Sequence, residues 1–328
     1  MENQILWLNK NEVESLLDMK GTLKAVEDAF MQHGMKKVQM PPKLYLYFKN
    51  HNGDLRTMPA YLEEQDITGV KIVNVHPDNP KKGLPTVMAL VILNSTETGA
   101  PIAIMDGTHL TNMRTGAAGG VAVKYLARKN SGTVGFVGSG NQAKTQLLGI
   151  NEVIDIEKVM VTSVSEKSNL EFKADMEKRL DCDVILKKSI REVCNCDILV
   201  TTTPSREPVV KSEWISEGTH INAIGADAPG KEELDPAILK RAKVVVDDIP
   251  QASHSGEVNV PISKKLIMVK DICAELGEVI TGKKKGRTAD SDITVFDSTG
   301  LAIQDVATAD MVYRKALAKK IGIKLQQF

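Results

Sequence analysis

Cysteine is scarce in this chain. Four residues, Cys182, Cys194, Cys196 and Cys273, occur among 328. The Cys194-Asn195-Cys196 pair has a metal-like spacing, but no Cys/His group follows at ligand distance. No metal site is therefore expected, and the thiols are read as free and buried. An excess of charge is absent as well: Lys plus Arg and Asp plus Glu number 42 each. That balance removes electrostatic support for a nucleic-acid partner or an anionic membrane surface. No apolar run approaches the ~18 residues a membrane span requires, and the opening MENQILWLNKNEVE has no apolar signal core. These absences predict a cytoplasmic protein with no nucleic-acid and no membrane partner. Internal repeats and low-complexity segments are also lacking.

What is present is an ordinary globular composition, 42% hydrophobic and 26% charged, over a length that suits two domains or one large one. The most informative stretch is Val134-Gly135-Phe136-Val137-Gly138-Ser139-Gly140-Asn141-Gln142-Ala143. A short apolar strand breaks into Gly-x-Gly-x-x-Ala and then into a helix over Gln142–Ile150. Gly138 permits a tight turn, Gly140 lets a pyrophosphate approach the backbone, and Ala143 allows the helix to pack close to the strand. The helix N-terminus offers unpaired N–H groups and partial positive charge to phosphates.

Short Val- and Ile-rich strands follow at Thr133–Val137, Lys158–Thr162, Asp183–Leu186, Asp197–Thr202, Thr219–Ile224, Lys243–Asp247 and Asp292–Phe296. Helix-length polar segments such as Glu166–Leu180 separate the early ones. The alternation predicts a parallel sheet with crossover helices, hence an α/β protein. The first ~125 residues have a different periodicity. A helical stretch over Asn11–Lys36 precedes strands at Lys43–Phe48, Gly69–Val75, Val87–Leu93 and Pro101–Met105. Turns at 52–54 and 79–83 separate them, which predicts hairpins in an antiparallel or mixed sheet. An Ala/Gly-rich helix over Leu110–Arg128 leads into the nucleotide domain. A last helix, Ala302–Ile321, is expected to pack back on the N-terminal domain. The expected division is 1–127 plus 300–328 for a substrate-binding and dimerisation domain, and 128–299 for a dinucleotide-binding domain.

Several segments together resemble the ornithine cyclodeaminase/μ-crystallin family, nearest its archaeal-type alanine dehydrogenase branch. They are Arg56-Thr57-Met58-Pro59-Ala60-Tyr61, the run from Val70 to Pro77, and Met113-Arg114-Thr115-Gly116-Ala117. The glycine turn, the run from Ala223 to Leu234, and Asp297-Ser298-Thr299-Gly300 complete the set. The resemblance covers essentially the whole chain. It implies a Rossmann-type doubly wound parallel sheet beside a discontinuous α+β domain, a homodimer, and an NAD or NADP cofactor. It also implies hydride transfer at the α-carbon of an amino or imino acid, with alanine, pyruvate and ammonia as the first reactants to test. Ornithine cyclodeamination and ketimine or pyrroline-2-carboxylate reduction are the enzymatic alternatives. A non-catalytic NADP and small-ligand binder of the μ-crystallin kind is the alternative from another class.

An amino acid presents a carboxylate, and the candidate cations for it are Lys43, Arg56, Lys71 and Arg114. Arg114 can grip it bidentately, and the lysines add point charges. Lys71 sits among Gly69, Val70, Ile72 and Val73, so a largely buried strand carries it. A buried lysine needs a partner or a task. Neighbouring cations and desolvation would lower its pKa and leave a usable amine. Asp227 follows the strand Thr219–Ile224, at the sheet edge where parallel sheets place their chemistry. It is the second proton-transfer candidate; a turn cap is its bland reading. Cofactor contacts are expected from Asn141 and Gln142, from Arg114 and Thr115, and from Thr202. The resemblance adds Thr86, Lys231 and Ser298, and Ser163, Val164, Ser165, Ala223, Ile224 and Gly225 are expected to contact the cofactor as well.

Two departures bear on specificity. Ser163 stands where an acid normally accepts the ribose 2′-OH of NAD. Repulsion of a 2′-phosphate is then absent, so weak discrimination between NAD and NADP is expected. Cyclodeaminases of the family carry a glutamate just before the Met-Pro step, whereas this chain has Arg56-Thr57-Met58-Pro59. A cation there repels the second ammonium of ornithine and favours a small neutral amino acid.

Overall fold

The computed structural model describes residues 4–326 of the chain. In chain order the elements are β1 (Gln4–Leu8), α1 (Lys10–Leu16), α2 (Met19–Met35), β2 (Val38–Gln39), β3 (Leu44–Phe48), β4 (Gly53–Leu62), β5 (Ile67–Val75), β6 (Val87–Ser95), β7 (Pro101–Asp106) and α3 (Thr108–Leu126). There follow β8 (Thr133–Val137), α4 (Asn141–Asn151), β9 (Lys158–Thr162), α5 (Glu166–Arg179), β10 (Val184–Leu186), α6 (Ile190–Val193), β11 (Ile198–Thr201) and β12 (His220–Ala223). The rest are α7 (Pro236–Arg241), β13 (Lys243–Val246), α8 (Ile249–Ser255), α9 (Asn259–Ser263), β14 (Ala274–Glu275), α10 (Leu276–Ile280), β15 (Thr294–Asp297), α11 (Ala302–Lys319) and β16 (Ile323–Gln326). They form two compact units. One holds the described residues up to Arg114 and those from Leu301 on; the other is Thr115–Gly300.

In the first unit the strands pair in the order β16-β1-β7-β6-β5-β4-β2, with β3 also on β4. β1 and β7 run parallel and the remaining pairs are antiparallel. Register puts Arg56 opposite Val73, and Met58 opposite Lys71, which is in turn opposite Val91. Opposite residues share a face. That face is buried at Arg56, Met58, Ala60, Leu62, Lys71, Val73 and Val91, and α11 packs on β4, β5 and β6. The helical stretch expected over Asn11–Lys36 is two helices. Leu17 is extended, and the Asp18 carboxylate accepts the Gly21 N–H at 2.6 Å, so a new N-cap restarts the chain as α2. The apolar positions Leu23, Val26 and Phe30 of α2 are buried. Each contributes about 1.5–3 kcal/mol by leaving water.

The second unit is a parallel sheet ordered β10-β9-β8-β11-β12-β15-β13-β14. Its strands read as continuous apolar runs because both faces are covered. Val134, Phe136, Val159, Val161, Ile198 and Val200 join one core with Leu147 and Phe172; Val137, Met160 and Leu199 join the other with Ile238 and Val244. Chain order reverses between β8 and β11, the switch point where such sheets bind ligands at their carboxyl ends. α3 and α4 cross in backbone contact: a Cβ on Gly116 would overlap the carbonyl of Thr145, and one on Gly149 that of Gly116. All four cysteines are free, but only Cys194 is fully buried, so the expectation of buried thiols holds for that one alone. Burial raises its thiol to about 12. Among the described residues, no helix is long and apolar enough to cross a membrane.

Candidate active site

In the first unit Arg56 and Lys71 lie on the buried face of the sheet. Lys71 is 1% exposed, and its Nζ lies 2.8 Å from each oxygen of Asp305, itself wholly buried at the start of α11. The Nε of Arg114 donates to the same carboxylate at 2.9 Å, and its Nη1 donates to Gln304 Oε1 at 3.0 Å. One carboxylate thus serves two cations from two other elements. Gln304 Nε2 is buried without a partner among the described residues. Burial above all, then the charge of Arg114, pulls the Lys71 pKa down to about 7; Asp305 opposes the fall and Lys43 adds to it. Lys71 is thus poised between a point charge and a free amine.

Arg56 has a different setting. Its guanidinium makes a two-point pair with Asp54, Nε to Oδ1 at 2.8 Å and Nη2 to Oδ2 at 3.1 Å, and lies 5.2 Å from the Tyr45 ring centre. Its charge is balanced by its own strand. Lys43, half-buried just before β3, is close enough to Lys71 to act on its titration. Thr86 precedes β6, and its carbonyl accepts the His76 N–H at 2.8 Å.

In the second unit the glycine turn joins β8 to α4. Gly138 has φ +102°, a conformation L side chains rarely adopt, and a Cβ there would lie 2.6 Å from Thr202 Oγ1. Gly140 is the N-cap of α4 at φ −77°, with no side-chain cap. A Cβ on Gly140 would meet no protein atom within 4 Å. Neither backbone strain nor packing explains that glycine; a ligand lying against the uncapped N–H groups does. A cavity of about 660 Å³ opens here, lined by Gly138, Ser139, Gly140, Ser163, Val164, Ser165, Thr202 and Lys188 among others. These features fit the phosphates and ribose of a dinucleotide. Asn141 and Gln142 begin α4, and Thr115 lies in α3, its carbonyl accepting Gln146 Nε2 at 2.7 Å.

No acidic residue is among those lining the cavity, and Lys188 is its one cation. Ser163 is tied into a hydroxyl network, its Oγ 2.9 Å from that of Ser139 and 2.7 Å from Asn169 Oδ1. Ala223 and Ile224 are buried at the end of β12. Beyond them Gly225 donates its N–H to Glu233 at 2.8 Å, and Glu233 also accepts from Thr201 Oγ1 and the Thr203 N–H. Burial raises the Glu233 carboxyl above its usual range. Asp227 follows, 2.6 Å from Lys231 Nζ, so Lys231 is engaged with Asp227. Ser298 is buried after β15, and its hydroxyl has no partner among the described residues.

Asp305, Gln304, Glu233 and Lys188 were not legible as site residues. The partners of Asp305 lie 191 and 234 positions away. The available signal was an acid within the apolar stripe of the last helix.

A doubly wound sheet with a glycine elbow at its switch point defines a dinucleotide-binding α/β protein of the Rossmann type. The profile of the Ornithine cyclodeaminase/mu-crystallin family matches residues 3–320. The chain belongs to that family. Alanine dehydrogenase of Archaeoglobus fulgidus is 56% identical over 99% of both chains. The solved archaeal alanine dehydrogenase dimer with bound NAD superposes with a TM-score of 0.96 at 56% identity, covering 99% of this chain and 100% of that one. The Δ1-pyrroline-2-carboxylate reductase of Thermococcus litoralis, solved with NADH and L-proline, gives 0.95 at 42% identity over 98% and 100%.

Proposed function

We propose that this chain is an NAD(P)-dependent amino-acid dehydrogenase that interconverts L-alanine and water with pyruvate and ammonia. The observation that carries the reading is the buried Lys71–Asp305–Arg114 cluster, a preorganised cationic seat for a carboxylate in a chain that also holds a dinucleotide turn. A dinucleotide held at the glycine turn would supply the hydride acceptor for the α-carbon. Arg114, Lys71 and Lys43 hold the substrate carboxylate. Lys71, as free amine, takes the proton that the substrate ammonium must lose before its α-carbon can give up hydride. After oxidation to the imino acid, Asp227 accepts the proton of the attacking water and Lys71 returns its proton to the departing amine, releasing ammonia and pyruvate. Arg56 stands where a cyclodeaminase has its glutamate and already occupies Asp54, so no free carboxylate is left there for the second ammonium of ornithine.

Reduction of a cyclic imine is the second reading, favoured by the 42%-identical reductase. One spectrophotometric screen separates the two: small 2-oxo acids with ammonia, and cyclic imines, each with NADH and NADPH. Pyruvate with ammonia is expected to oxidise cofactor fastest and to yield alanine; proline from pyrroline-2-carboxylate as the faster product would replace this reading. Because the cavity carries Lys188 and no acid, the expected preference for NAD over NADP stays below ~100-fold, or ~2.7 kcal/mol. A larger ratio rejects the dual-cofactor reading.

A homodimer is part of the proposal. On the sheet face opposite α11, Leu44 and Leu46 of β3 are 56% and 52% exposed, and Leu90 of β6 is 41% exposed. An apolar face of this kind needs a cover. Sedimentation is expected to give twice the chain mass, and Leu46→Lys with Leu90→Lys to give monomer. A wild-type monomer at micromolar concentration overturns the assignment.

A further inference from the structure

The Lys71–Asp305 contact joins residues 234 positions apart, and the proton and hydride transfers above leave Asp305 without a task. We propose that Asp305 is the positioning residue of the substrate clamp, fixing Lys71 and Arg114 side by side so that one carboxylate can bridge them. The inference rests on the dehydrogenase reading above and deepens it.

The geometry supports this assignment in three ways. First, Asp305 is wholly buried and its carboxylate meets Lys71 at 2.8 Å and Arg114 at 2.9 Å. Two cations of like charge would otherwise repel each other and splay. Second, the contact with Arg114 uses Nε, while Nη1 is held by Gln304 Oε1. The guanidinium is therefore held at two of its three nitrogens, and two of its five N–H donors are used, which leaves donors for a ligand. Third, Asp305 stands one residue past Gln304 near the start of α11, a helix packed along β4, β5 and β6, so its position is set by the core.

Other charged groups around Lys71 do not duplicate it. Lys43 precedes β3, and Arg56 on β4 is matched by Asp54. The facing positions Val91 on β6 and Met58 on β4 are apolar. Asp305 is the anion that the structure supplies to Lys71. With Arg114 balanced by Asp305, an arriving carboxylate adds one negative charge beside Lys71 and makes its amine a stronger base for the proton of the substrate ammonium.

The test compares Asp305→Asn and Asp305→Glu with wild type, using two readouts. Lysine Cε NMR titration of the free protein follows Lys71 without turnover, assigned by its loss in Lys71→Met. The pH profile of kcat/KM follows it in catalysis. Asp305→Asn is expected to lower the Lys71 midpoint by about 1–3 units, the range for losing a nearby opposite charge, and to move the acid limb with it. Asp305→Glu keeps the charge but moves the oxygens. It should hold the midpoint near the wild-type value and lose about 10-fold or more in kcat, since small displacements of a clamp are costly. A residue that merely stabilised the fold would lower activity at every pH and move neither midpoint nor limb. An unmoved midpoint in Asp305→Asn overturns the inference, as does full kcat in Asp305→Glu, which serves alone if the asparagine variant does not fold. An inactive wild type whose Lys71 titration still responds to Asp305→Asn would sink the dehydrogenase reading instead.

Discussion

Lys71→Ala should lower the rate of alanine oxidation by about 10³-fold or more, the scale of a lost acid–base group combined with a lost carboxylate contact. Dinucleotide affinity should stay nearly unchanged, because Lys71 belongs to the first unit and the glycine turn to the second. Lys71→Met is the better control for packing. It keeps the stem that fills space between Met58 and Val91 and deletes only the amine. Steady-state kinetics with alanine, beside calorimetric binding of NADH, make the comparison. If turnover survives in both variants, Lys71 has no part in proton transfer.

The pH dependence follows from the same group. Its folded-state pKa of about 7 lies well below the ordinary lysine value, chiefly through burial. Below that value the amine holds its proton and cannot accept another, so kcat/KM for oxidation rises with pH through about 7. In the reductive direction the protonated form is the active one, and the profile falls across the same range. Residual activity of Lys71→Met should lack this limb in both directions. A wild-type limb well above 9, the ordinary range of a substrate ammonium, would instead assign the titration to the amino acid.

Lys71 was legible because the signal was local. A cation inside Gly69–Val73 contradicts the apolar pattern around it, and only partners or chemistry keep such a residue buried. The glycine turn and the strands Thr133–Val137 and Lys158–Thr162 were legible for a similar reason: strand, turn and helix signals agree over about ten residues. β4 was not, although it carries Arg56. Gly53, Asp54 and Pro59 read as turn and strand breaker. The register explains why the strand exists. β3 pairs with β4 as far as Thr57, and β2 resumes at Tyr61, so Pro59 falls in the gap between two partners. Asp305 escaped because an acid in the first turn of a helix is ordinary by itself, being favoured by the helix dipole. Its meaning arises only when folding brings β5 and α3 to it. The pairing of Arg56 with Asp54 could have been foreseen, since residues i and i+2 of one strand share a face.

Gly140→Val is expected to weaken dinucleotide binding by at least ~100-fold, about 2.7 kcal/mol, while leaving the fold almost untouched. Both halves of that statement come from one observation. Gly140 has an ordinary φ of −77° and a Cβ direction free of protein atoms to 4 Å. Valine therefore meets neither strain nor clash in the free protein, and losing glycine at an N-cap costs about 1 kcal/mol at most. In the bound state its methyl groups would occupy the space beside the uncapped N–H groups of α4. A displaced phosphate would lose charge-assisted hydrogen bonds worth about 1.5–3 kcal/mol each and part of the helix-dipole attraction. Gly138→Ala supplies the contrast. There φ is +102° and the new Cβ would crowd Thr202, so the expected loss is in thermal stability as well as in binding. Melting curves and NADH calorimetry on the two variants separate a glycine kept for the chain from one kept for a ligand. Wild-type affinity in Gly140→Val would mean that the pyrophosphate does not lie on this turn, and the cavity lined by Ser163 and Lys188 would lose its claim to the dinucleotide with it.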